Sequence, residues 1–160
     1  MALSKIMFQL STYNVISAIV CLVFKRYIPD DVLDVARGIA LFVFIASFYF
    51  QLVYGVDALA DVFSARLEDP TPIEWVVITF GNVLWHALPL FILGIPKNLS
   101  SILIAWVIII TWYFAIRKQM CDVYTDKVTV TEYDVLVFGI VPACSAVVYG
   151  VRHGITVMQE

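Results

Sequence analysis

Five long apolar stretches, separated by short polar segments, dominate the pattern of the chain. They run over residues 6–24, 38–56, 73–95, 99–116 and 135–151. A helix needs roughly 17–25 residues to cross the hydrocarbon core of a bilayer, and each stretch meets that length. Continuous apolar runs favour helices over barrel strands, because a helix satisfies its own backbone hydrogen bonds in lipid. The pattern therefore predicts an all-α fold, a polytopic integral membrane protein whose five transmembrane helices form a single domain over residues 1–160.

The polar segments contain signals for where the helices begin and end. Thr71–Glu74 is a capping box with proline at the first helical position, so the third helix is expected to begin there. Thr131–Asp134 has a similar pattern before the fifth helix, and Pro29–Asp31 is typical of the start of the second. Pro96 and Asn98 leave room for only a short turn between the third and fourth helices. These two helices are therefore predicted to form an antiparallel hairpin.

Composition supports a lipid environment and fits a nucleic-acid partner poorly. Hydrophobic residues make up 62% of the chain and charged residues 14%, whereas soluble domains have about half and about a quarter. The net charge is −3, and no basic cluster indicates nucleic acid. We expect the bilayer as one partner, and other protein subunits or a second copy of the chain as another. The membrane concerned is left open among cellular, organellar and viral ones.

Orientation in the bilayer is not decided by the positive-inside rule. With five full spans, the ten basic residues divide five against five between the two sides. A re-entrant segment in place of one span would change that division. The third stretch is the candidate for such a segment, because glycine, asparagine, histidine and proline interrupt it. We favour five full spans.

A polar stripe on the third apolar stretch is the first candidate site. Thr79, Asn82 and His86 follow helical spacing near the predicted bilayer centre, where an unpaired polar group is costly. Asn14 occupies a similar depth in the first stretch, and Trp85 is expected to pack inside beside His86. His86 is either a proton-relay or ligand residue, or a hydrogen-bond partner between helices. The second interpretation is favoured, because no other acid or base lies nearby in sequence.

Small residues in the fifth stretch form a second candidate feature, which we call the small-residue seam. Gly139, Ala143, Ala146 and Gly150 recur at steps of four, three and four. Such spacing lets another helix approach closely, because association in lipid depends on van der Waals contact. The sequence therefore predicts a helix-packing face here.

The residues that common membrane chemistry requires are scarce. The chain has three cysteines without a CxxC pair and two histidines, so the sequence predicts no metal site and no cofactor. No nucleotide-binding glycine loop or ion-selectivity filter is present in the sequence. These observations favour a protein that is not an enzyme.

The leading hypothesis is a non-catalytic structural or assembly subunit of a larger membrane-associated complex, in an organelle or virion membrane. The first alternative is a small transporter or proton pathway built around Asn14, Asn82 and His86, with Gln51 as a further candidate. A third hypothesis is a lipid-modifying membrane enzyme that uses His86 with Asp57 or Asp61. A water-filled cavity reaching His86 would favour the pathway, and an acidic side chain bonded to it would favour the enzyme.

Overall fold

The computed structural model describes residues 10–63, 71–124 and 130–159, and all regular structure within these ranges is helical. The first four helices are α1 (Leu10–Val23), α2 (Asp30–Phe63), α3 (Pro72–Leu93) and α4 (Leu99–Tyr124). The fifth, α5, has three consecutive parts: Val130–Val135, a π-helical turn at Leu136–Ile140, and Val141–Gln159. The all-α prediction is confirmed for the described residues.

Local signals in the sequence set the ends of several helices. Helix α3 begins at Pro72 and α2 at Asp30, both as predicted. At the end of α3, Gly94 takes a φ of +82°, and its N–H donates to the Leu90 carbonyl at 2.8 Å. This left-handed residue ends the helix, since glycine adopts the conformation without steric cost. The chain then turns over five residues and enters α4.

Helix α2 is the centre of the bundle. It contacts α1, α3, α4 and the last part of α5. One buried cluster lies where α1, α2 and α3 meet, and a second lies where α2, α4 and α5 meet. Both α3 and α4 pack extensively on α2, but within the described residues they make little direct contact with each other, so the two helices predicted to form a hairpin flank α2 instead of packing as a pair. The bundle is therefore organised around α2.

A close helix contact joins α2 to α4 at Gly38. A Cβ atom at this position would lie 2.7 Å from the Ala105 Cβ and 3.3 Å from the Ser101 carbonyl oxygen. Side chains essentially never approach so closely, so the contact requires glycine at this position. Ala105, the residue of α4 at this contact, is fully buried. Small residues thus do bring two helices together, as expected in membrane bundles, but at α2 and α4.

The π-helical turn in α5 precedes Pro142 and changes the local hydrogen bonding. The Val141 N–H donates to the Leu136 carbonyl, five residues back. The Val137 carbonyl, which would accept that N–H in a regular α-helix, instead accepts a bond from the Trp106 indole N–H at 3.3 Å. The turn therefore ties α5 to α4 through a backbone group that an α-helix would use internally.

Two helical stretches among the described residues are long and apolar enough to cross a bilayer, namely Asp30–Val53 and Thr131–Thr156. The most apolar window of the first is half buried, as in the core helix of a soluble protein, whereas only 17% of the second is buried. Shorter apolar helices occupy Tyr13–Val23, Val83–Leu93 and Leu99–Ala115. Five full spans therefore remain a prediction.

Candidate functional site

The predicted polar stripe belongs to α3, which packs against α1, the helix that contains Asn14. Asn14 on α1 is 2% exposed, and its Nδ2 atom has no hydrogen-bond partner among the described residues. Helix α1 packs against α3, which contains His86 as a partly buried residue. The side chains of Thr79 and Asn82 lie outside the described part of the chain. The structure thus brings together the two helices that contain Asn14 and His86. The role of these residues in a pathway or in helix packing stays a prediction.

The expectation that Trp85 packs inside is wrong. Trp85 is 39% exposed, whereas Ala87, Pro89 and Leu93, which lie nearer the end of α3, are buried. Depth in the predicted span did not determine which way the side chain points.

The further residues proposed for a pathway or an enzyme lie on α2. The Gln51 amide donates from Nε2 to the Ser47 hydroxyl oxygen at 3.3 Å, one turn earlier on the same helix. The side chains of Asp57 and Asp61 fall outside the described part of the chain. Within that part, no group of three His, Cys, Asp or Glu residues could hold a metal ion.

The small-residue seam of α5 points away from the other described helices. An added Cβ at Gly139 or Gly150 would meet no atom within 4 Å, and Ala143 and Ala146 are exposed. The packed face of this helix instead includes buried Leu136, Val141 and Ser145. The seam has no partner among the described residues, so its packing role stays a prediction about a contact outside them.

A carboxylate on α2 holds the start of α4, and sequence reasoning did not find it. Asp34 is 2% exposed and accepts bonds from the backbone N–H groups of Lys97 at 2.8 Å and Asn98 at 2.9 Å. The Ile102 N–H donates to the Asn98 carbonyl, so Asn98 is the N-cap residue of α4. The Ser101 hydroxyl is a further partner of Asp34. An anion therefore sits where the helix dipole favours one.

The partner of this carboxylate holds the end of α3. Arg37 donates from Nε to the Leu93 carbonyl at 2.7 Å and from a guanidinium NH group to Asp34 at 3.1 Å. Its side chain is 13% exposed. Leu93 is the last residue of α3, where a cation is favourable for the helix dipole. One ion pair on α2 thus satisfies a helix end on each side of the α3–α4 loop.

A third charged residue reaches the same loop from α5. The guanidinium of Arg152 donates to the carbonyl oxygens of Ile95 and Pro96, the latter at 3.1 Å. We name Asp34, Arg37 and Arg152 the loop clamp, because all three bind the backbone of residues 93–98. The described hydrogen bonds of the Asp34 carboxylate go to Lys97, Asn98, Arg37 and Ser101, so the clamp joins α2 to the loop and to the start of α4.

A second buried polar contact joins α4 to α5. The Tyr113 hydroxyl donates to the Asp134 carboxylate at 2.7 Å, and Tyr113 is 1% exposed. Tyr133 is also buried and lies beside Tyr113, with ring centroids 6.5 Å apart. A bond from a hydroxyl to a charged acceptor is among the stronger hydrogen bonds in proteins. The segment Thr131–Asp134, predicted to lie just before the fifth helix, thus lies within α5 and makes a contact between helices.

The sequence contained a partial signal for the clamp. Asp34 and Arg37 are spaced three residues apart near the start of α2, which is typical of an ion pair on one helix face. Their backbone partners lie 63 and 56 residues further along the chain, and no local pattern links such distant positions.

Comparison of the chain with family models, with curated proteins and with solved structures finds no match.

Proposed function

We propose that this chain is a multi-pass integral membrane protein and acts as a non-catalytic structural or assembly subunit of a larger membrane-associated complex, in an organelle or virion membrane. The observation that carries the proposal is the placement of polar and apolar side chains. Polar residues lie inside the described bundle, and many large apolar residues lie outside. A soluble protein is expected to keep contiguous apolar patches small, whereas lipid is a suitable surrounding for such a surface.

The buried polar residues support the non-catalytic part of the proposal. Asp34 and Arg37 bind helix ends, and Tyr113 binds Asp134 across two helices. Ionisable groups within membrane helices are functional suspects by default. Here Asp34, Arg37 and Asp134 each bind a group on another element, and this favours a scaffold over a reaction centre.

The outward face of α5 supports an assembly role. Helix α5 presents the exposed residues Gly139, Ala143, Ala146 and Gly150, and an added Cβ at either glycine would meet no atom within 4 Å. Close approach of a second helix is favoured at small residues in lipid. A partner subunit or a second copy of the chain would use this side.

The membrane part of the proposal is tested by extraction. Membranes containing the full chain are washed with sodium carbonate at high pH, which releases peripheral proteins. We expect the chain to stay in the membrane pellet. Its release into the wash would contradict integral insertion.

The assembly part is tested in mild detergent by light scattering coupled to size-exclusion chromatography, after chemical cross-linking in the native membrane. We expect a complex of defined mass above the 18.1 kDa of one chain. Gly150→Leu should reduce the amount of this complex. The control substitution Leu103→Ile, at an exposed position of α4, should not. A lone chain in every condition would contradict the assembly role.

A second candidate function is a proton or solute pathway, favoured by the buried Nδ2 atom of Asn14. An unsatisfied donor inside a bundle is a place where water or a ligand can bind. The test is flux across vesicles reconstituted with the purified chain, compared with His86→Leu. The scaffold proposal expects no flux above empty vesicles. Flux that vanishes in His86→Leu without loss of folding would replace that proposal with the pathway.

A further inference from the structure

We propose that the end of the bundle formed by the α1–α2 and α3–α4 loops binds the phosphate-bearing headgroup of an anionic phospholipid. Lys25, Arg26 and Lys97 provide the positive charge. This inference rests on the proposed membrane location, and it adds a class of lipid and a place on the molecule. We call these three residues the basic triad.

The two loops lie at the same end of the molecule. Ile28 in the α1–α2 loop packs against the buried cluster that includes Leu33 and Leu93. The Lys97 amide bonds to Asp34, which lies in the second turn of α2, just after that loop. The triad is therefore divided between two loops that are held together by the start of α2 and the end of α3.

The basic triad is free to bind an anion, in contrast to the other basic residues of this end. The side chains of Lys25, Arg26 and Lys97 are exposed, and none has an acidic partner among the described residues. Arg37 and Arg152 instead donate to backbone carbonyls of the loop. The clamp thus fixes the loop backbone and leaves the charged end of Lys97 directed to the outside.

The charge of this end is positive even when its acidic residues are included. Asp30 and Asp31 are exposed in the first turn of α2, where they complement the helix dipole. Among the described residues of this end, these two and Asp34 oppose five basic residues: Lys25, Arg26, Arg37, Lys97 and Arg152. The sequence stretches 57–74 and 117–134 have the reverse balance, with nine acidic and four basic residues. An anionic headgroup is therefore attracted to the loop end.

Exposed apolar and aromatic residues next to the triad favour a lipid over a soluble phosphate. Tyr27 follows Arg26 directly and is 84% exposed, and Phe24 precedes Lys25 and is also exposed. Ile95 and Leu99 are exposed on either side of Lys97. Tyrosine together with Lys and Arg is typical of the headgroup level of a membrane. Acyl chains can contact the apolar residues while the phosphate contacts the triad.

The experiment is a titration of the full chain in mild detergent with two phospholipids that have the same acyl chains, followed by native mass spectrometry. One is anionic phosphatidylglycerol and the other is zwitterionic phosphatidylcholine. We expect tighter binding of phosphatidylglycerol. In the triple variant Lys25→Gln, Arg26→Gln, Lys97→Gln, this preference should fall by roughly fivefold for each removed charge, since a basic residue near an anionic surface contributes about 1 kcal/mol.

A matched control uses two adjacent basic residues on α4. The double variant Arg117→Gln, Lys118→Gln removes similar charge from a stretch rich in acidic residues, and it should keep the preference for phosphatidylglycerol. Because the triad is exposed, its variant is expected to melt at the same temperature as the original chain. If the triple variant unfolds, Lys25→Gln with Arg26→Gln provides the same test with Lys97 intact.

Three outcomes would overturn the proposal. The first is equal binding of the two lipids, and the second is an equal loss of preference in the control variant. The third is displacement of phosphatidylglycerol by soluble glycerol phosphate at similar concentration, which would identify a soluble phosphate as the ligand. If the chain resists carbonate extraction but shows no lipid preference, only the proposed headgroup site is contradicted. If carbonate releases the chain, the proposed membrane location is contradicted as well.

Discussion

Asp34 and Arg37 lie one turn apart on α2, and they bind helix ends of opposite polarity. Asp34 accepts from the backbone N–H groups of Lys97 and Asn98 at the start of α4, while Arg37 donates to the carbonyl of Leu93 at the end of α3. Each charge has the sign that the nearby helix dipole favours. Helix ends are often capped by side chains of the adjoining loop. Here two side chains of α2 cap the end of α3 and the start of α4 instead.

Removing the Asp34 carboxylate should destabilise the bundle strongly. In Asp34→Ala, two N–H groups lose their acceptor and the partly buried Arg37 loses its counter-charge. Breaking a buried pair from one side costs about 3–5 kcal/mol. Asp34→Asn keeps one acceptor oxygen and should cost less. The measurement is thermal unfolding of the purified chain in detergent.

The matched control for Asp34 is Asp31→Ala, which changes an exposed carboxylate one turn earlier on the same helix. Asp31 is exposed, so we expect a cost well under that of Asp34→Ala, within the range of helix-dipole effects of about 0.3–1 kcal/mol. Equal melting temperatures for the two alanine variants would show that the Asp34 contacts do not stabilise the bundle.

Substitution of Gly38 should separate α2 from α4. A Cβ atom added at Gly38 would lie 2.7 Å from the Ala105 Cβ, so there is no space for a larger side chain. Gly38→Leu is expected to cost at least about 1–3 kcal/mol, the usual range for overpacking. Gly139→Leu, on the outward face of α5, should leave the stability of the isolated chain unchanged. Similar melting curves for the two leucine variants would argue against the close contact.

The two glycines also illustrate what local sequence can and cannot predict. Spacing identified Gly139 and its neighbours as a small-residue face, but spacing does not say which helix covers that face. Ala36 and Ala40 on α2, and Ser101 and Ala105 on α4, are small residues four apart in the same way. Which of these faces meet depends on the packing of α2 against its four neighbours, and this is not a local property.

Helix ends were more predictable than packing. The start of α3 at Pro72 follows from residues 71–74 alone, because a capping box acts within one turn. The clamp could not be predicted from local sequence, because Asp34 and Lys97 are 63 residues apart. Trp85 was predicted inside from its depth, yet depth in a bilayer carries no information about the side of the helix. In this chain, local sequence predicts where α2 and α3 begin, whereas tertiary packing determines which sides are buried and which carboxylate caps α4.

The Trp106 indole should stabilise the π-helical turn of α5. Trp106→Phe removes the donor to the Val137 carbonyl while keeping an aromatic ring. Interhelical hydrogen bonds in membrane bundles contribute about 0.6 kcal/mol, with values up to about 1.7. We expect a loss in this range in detergent unfolding, and little change for Trp85→Phe, whose ring is exposed. A larger effect at Trp85 would contradict this assignment.

Cysteine labelling should report the placement of α5 in the bilayer. Cys21 is buried within the bundle, whereas Cys144 is exposed on α5. If α5 spans the membrane, lipid covers Cys144, and a charged water-soluble maleimide should not react with it in intact membranes. A small apolar maleimide in detergent should label Cys144 faster than Cys21. Rapid labelling of Cys144 by the charged reagent in intact membranes would show that this part of α5 does not span.

The position of the loop clamp has a consequence for how the chain is made. A ribosome produces α2 before α3 and α4, so Asp34 and Arg37 emerge before the loop whose backbone they bind, and Arg152 emerges after it. The acceptor for the start of α4 is therefore already present when that helix is synthesised, whereas the last contact forms only when α5 arrives. Insertion of the hairpin is expected to depend on α2, and final closure of the loop end to depend on the arrival of α5.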